Sequence, residues 1–82
     1  MKKIVRFSQS ARKHKIGRAH ALYVINLYDF QVDPKDFNRR SWVGVDSRGR
    51  ALEITGIDLG DYLLVIHVIP TRRVKNYGKE EE

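Results

Sequence analysis

The chain has 82 residues, 16 Lys or Arg against 10 Asp or Glu for a formal net charge of +6, and no cysteine. A chain of that length makes one domain that buries only about 60% of the surface its unfolded form exposes, so a partner or self-association is expected to supply part of its stability. Without thiols there is neither a disulfide scaffold nor a cysteine nucleophile, and no apolar run reaches the roughly 20 residues that span a bilayer.

Met1 to His20 holds seven Lys or Arg and no acid. MKKIVRF runs into polar SQSARKHK rather than an apolar signal core, so a cytoplasmic protein is the default expectation. Ile4, Val5 and Phe7 read as a first strand. Ser8 can cap a helix through Ser10, Ala11 and His14, which Lys15-Ile16-Gly17 breaks. From Arg18, Ala21, Leu22, Val24, Ile25 and Tyr28 share one broad face at helical spacing, although the Val, Ile and Tyr content also admits a strand. Asp33-Pro34 ends this segment, and a polar connection follows to Asn38.

Three strands are then expected at 40–45, 50–57 and 62–69. Asp46-Ser47-Arg48-Gly49 has the residue order of a type I turn, and Asp58-Leu59-Gly60 makes the second reversal. Pairing Val45 with Arg50 and Ile57 with Asp61 puts Val43, Val45, Leu52, Ile54, Leu64, Ile66 and Val68 on one face. Arg40, Trp42, Glu53, Thr55 and His67, with Val65 and Ile69, then take the other. The expected fold is α+β, in the order β-α-α-β-β-β, an antiparallel sheet with two helices on one face. Residues 1–79 form the domain, and 80–82 an acidic tail. Nothing in the chain could cover the second face except the C-terminal segment, a second copy or a partner.

The chemistry suggested by these residues is phosphodiester cleavage without a metal or other cofactor. Attack by an RNA 2′-hydroxyl needs a base, a cation at the phosphorane and an acid for the leaving oxygen. His67 can serve as acid or base near neutral pH, Arg72 and Arg73 can clamp the phosphate, and Glu53 can act as a base or orient a neighbour. Arg40 and Lys75 can hold flanking phosphates. Trp42 and Tyr77 can stack on bases, and Arg12, Lys13 and Lys15 can track a backbone. Plainer readings fit too: His67 as a packing residue, the arginine pair as solvated charge, and Trp42 as an interface anchor. His14 and His20, six apart, do not have the spacing of two metal ligands on one helical face.

SARKHKIGRAHA, GVDSRGRALEI and LLVIHVIPTR followed by a basic tail resemble small bacterial toxins of the BrnT type, within the broader RelE/ParE superfamily. They are also similar to small proteins in which a histidine–alanine–arginine helix precedes an IHVMPTR strand. The resemblance covers roughly residues 6–73. It implies an endoribonuclease that acts on messenger RNA, free or on the ribosome, and is neutralised by a cognate antitoxin. It transfers most directly to His67, Pro70 and Arg72 and more weakly to Ala11, His14 and Gly17. Ser10-Ala11 stands where related chains often have His-Ala, so no histidine role passes to that position. Some members of the superfamily act on DNA gyrase instead. A non-catalytic nucleic-acid or protein-binding module, or a homodimer formed through the open face, is the alternative.

Overall fold

A computed structural model describes residues 4–71. Five strands form one sheet in the order β1-β5-β4-β3-β2: β1 (Ile4–Phe7), β2 (Gln31–Asp33), β3 (Asp36–Val45), β4 (Ala51–Asp58) and β5 (Tyr62–Pro70). The pairings β2–β3, β3–β4 and β4–β5 are antiparallel, whereas β1 runs parallel to β5. That parallel pairing requires a crossover, and it is made by a 3-10 turn (Ser10–Arg12) and one helix, α1 (Arg18–Leu27).

The expectation of two packed helices is therefore corrected: there is one helix and one 3-10 turn. Ser8 does cap the first segment, its Oγ accepting the Ala11 N–H at 3.3 Å. Arg12, Lys13 and Lys15 then crowd like charges with no acid among them, and Lys15 adopts φ 57°, the left-handed conformation that ends a helix. A second correction concerns 28–38. Tyr28 is already extended, and Gln31–Asp33 pairs with β3 as an edge strand, where the spacing had suggested helix followed by connection.

The core lies between α1 and one face of the sheet. Ala21 and Val24 of the helix meet Trp42, Leu52, Ile54, Leu63, Val65 and Val68, with Ala11 and Ile16 closing the side. Two local devices set which residues face it. In the β3–β4 hairpin, Gly49 donates its N–H to the Asp46 carbonyl and takes φ 86°, so Val45 pairs with Ala51 instead of Arg50. That one-residue shift turns Trp42 inward and Val43 outward. In β5, Thr55 pairs with His67 but Gly56 pairs with Val65, which leaves Ile66 as the extra residue of a bulge. Alternation breaks there, so Leu63 and Val65 are buried before the bulge and Val68 after it.

Candidate functional site

Two surfaces carry the residues of interest. The first is the sheet face that α1 does not cover. Val43 and Val45 of β3, Glu53, Thr55 and Ile57 of β4, and Leu64, His67 and Ile69 of β5 share it, and His67 is exposed. The register places Thr55 directly opposite His67 and pairs Glu53 with Ile69, one pair further along the same face. Among the described residues, no Lys or Arg occupies the strand positions flanking His67. The expected phosphate clamp, Arg72 and Arg73, lies outside the described residues, as do Lys75 and Tyr77.

The shifted hairpin register takes Trp42 off this face, whereas Arg40 still lines a depression there with Ser41, Glu53 and Thr55. Trp42 is 4% exposed and meets Phe30 edge to face at 5.8 Å between ring centroids. Arg40 pairs with Asp58 at 3.2 Å and lies 4.5 Å from the centroid of the Phe30 ring. Both line a groove of about 690 Å³ between α1 and the sheet, together with Leu22, Ile25, Tyr28 and Leu63. Trp42 is not placed to stack on a base beside His67. The expected position of Trp42 on the open face is corrected accordingly.

The second surface is the end of the fold where α1 begins and the β3–β4 hairpin turns. Arg12, Lys15 and Arg18 line a depression with Ile16 and Gly17. Lys13 is exposed beside them, and Arg48 and Arg50 project from the hairpin. Asp46 and His20 join the two elements. The Asp46 side chain is fully buried, and its Oδ1 accepts N–H bonds from Arg48 at 2.9 Å and Arg50 at 2.8 Å. Its Oδ2 faces His20 Nδ1 at 3.7 Å and Arg50 Nε at 4.0 Å. Oδ2 and Nδ1 are both buried without a hydrogen-bond partner, while the His20 side chain as a whole keeps 17% exposure.

Burial alone would push the Asp46 carboxyl up, but the Arg50 and Arg48 backbone N–H groups, with the charges of His20 and Arg50, hold it below its ordinary 3.8. The folded carboxyl thus takes up a proton less readily than the unfolded one. Its contribution to stability is present above about pH 4 and is lost as pH falls through the depressed folded value. Thermal midpoints of the parent and Asp46→Asn, measured from pH 7 to pH 2, should differ most at neutral pH and converge at the acid end. A constant gap would show that the charge on Asp46 does not matter.

Sequence reasoning had Asp46 as a turn residue and His20 only as a poor metal ligand. Their meeting needs the crossover to carry the start of α1 back over the hairpin, 26 residues away in sequence, and no local pattern announces it. Among the described residues there is no cluster of three or more potential metal ligands, and no helix is long and apolar enough to cross a membrane. Compared with known protein families, with curated proteins and with solved structures, the chain gives no significant match to any.

Proposed function

We propose that this protein is a toxin-like endoribonuclease that cleaves RNA by metal-independent acid–base chemistry and is held in check by a partner seated on the sheet face that α1 does not cover. One observation carries the reading. Arg12, Lys15 and Arg18 line one depression at the start of α1, with Lys13 exposed beside them, and the His20–Asp46 contact joins that element to the hairpin that carries the exposed Arg48 and Arg50. A single-sign cluster of this kind binds a phosphate backbone without reading bases, and the cations can offset charge developing on a phosphorane. The partly exposed apolar face of Val43, Val45, Ile57, Leu64 and Ile69 supports the second half of the reading, because it suits a protein partner. With the chain at +6, that partner is expected to be acidic, as an antitoxin segment would be.

The test is direct. Purified protein incubated with a mixed-sequence RNA in EDTA should yield fragments ending in 2′,3′-cyclic phosphate and 5′-hydroxyl. RNA that stays intact but is retained, with affinity falling steeply as salt rises, would sink the nuclease and leave a binding module. Inhibition of DNA supercoiling without RNA cleavage would point to the gyrase-directed alternative.

A further inference from the structure

We infer that His20, oriented by Asp46, is the general base of the RNA cleavage proposed above, an assignment that rests on that reading. Asp46 spends Oδ1 on the hairpin backbone and leaves Oδ2 buried, with no partner, aimed at His20. A buried carboxylate oxygen and a buried ring nitrogen that face each other without partners are costly unless a proton lies between them. At 3.7 Å, an approach of less than 1 Å would close a hydrogen bond. The proton then belongs on Nδ1, which fixes the tautomer and leaves the lone pair on Nε2. The side chain keeps 17% exposure although Nδ1 is buried. This is the base-plus-orienting-group arrangement that activates an oxygen nucleophile.

The surroundings favour a phosphodiester. Gly17 lies against the ring: a Cβ there would stand 3.4 Å from His20 Cδ2, and Gly17 also lines the depression with Arg12, Lys15 and Arg18. Arg50 approaches the far side of the pair. His67, by contrast, sits on the opposite face of the sheet, so the two imidazoles do not share one phosphate. In the reaction, Nε2 takes the proton of the ribose 2′-hydroxyl as that oxygen bonds to phosphorus. The bond from phosphorus to the 5′-oxygen breaks, and the imidazolium returns its proton to the departing 5′-oxygen. The products are a 2′,3′-cyclic phosphate and a 5′-hydroxyl, with no net change in protons.

An end-labelled RNA oligonucleotide in EDTA provides the assay. His20→Asn keeps an N–H near the Nδ1 position for Asp46 but puts nothing at Nε2, so it should melt with the parent and cleave about 10²–10⁴-fold more slowly. His20→Ala should be equally slow and should recover part of its rate when imidazole is added to the buffer, a recovery that a merely structural histidine would not give. Asp46→Asn, removing a positioning residue, should lower kcat about 10- to 100-fold with KM little changed. Cleavage by His20→Asn within about twofold of the parent would overturn the assignment while the endoribonuclease reading stood. The same holds if activity were lost at His67→Gln and kept at His20→Asn. A parent protein that leaves RNA intact in EDTA would remove the reading itself and this assignment with it.

Discussion

Trp42→Ala should lower the stability of the domain by about 3–5 kcal/mol instead of selectively impairing RNA binding. The indole is 4% exposed, pairs across the sheet with the fully buried Ile54, and stacks edge to face with Phe30. Truncating a buried tryptophan to alanine costs about 3–5 kcal/mol, because the cavity collapses only in part. A domain of this size has a total stability of about 4–12 kcal/mol, so a large share of the margin goes. Circular dichroism and a urea titration would measure it. A Trp42→Ala protein that melts like the parent but no longer retains RNA would return Trp42 to the surface role its sequence position first suggested. Trp42→Phe, which keeps an aromatic edge for Phe30, should lose much less.

Gly44→Ala is expected to cost about 1–3 kcal/mol, a large effect for one methyl group. Gly44 is buried on β3, and the ring of Tyr28 lies flat across it: an added Cβ would stand 2.7 Å from the Tyr28 Cγ and closer still to two other ring carbons. Cγ is the root of the ring, so a small rotation cannot relieve the clash. Tyr28 would have to leave, and with it the contact where the chain turns from α1 towards β2. A lowered melting temperature together with changed tyrosine fluorescence would report the expulsion. Tyr28→Ala should make Gly44→Ala nearly harmless, since the two residues occupy one space. If the double variant is no more stable than the sum of the single losses predicts, the two positions are independent and the packing account is wrong.

Much of the framework was legible along the chain. Ile4–Phe7 is a strand, α1 begins at Arg18, and Ala21 and Val24 form its buried face, all where spacing and β-branched content put them. The two sheet reversals also fall at the Asp-Gly turns. What failed was the side of the sheet on which particular residues emerge. Val43 and Trp42 exchanged faces because one glycine in a positive-φ conformation lengthened the hairpin by a residue. Val65 and Leu64 did so because the bulge at Ile66 breaks alternation inside β5. Gly56 allows the close approach at that bulge, as a Cβ there would stand 3.0 Å from Leu63 Cδ1. Neither device changes the apolar pattern by which strands are recognised, so pattern alone could not reveal them.

The candidate site divides along the same line. The basicity of 12–18, the exposure of His67 and the turn chemistry of Asp46 follow from residue type and local spacing, which act over a few neighbours. The burial of Trp42, the ion pair of Arg40 with Asp58 and the meeting of His20 with Asp46 depend on register and on the parallel return of β5 beside β1. Composition and periodicity thus determined a small basic α+β domain with its helix on one face of the sheet. Only the tertiary structure decided which side chains share a surface, because a single inserted residue reverses every side chain beyond it while leaving the local preferences unchanged.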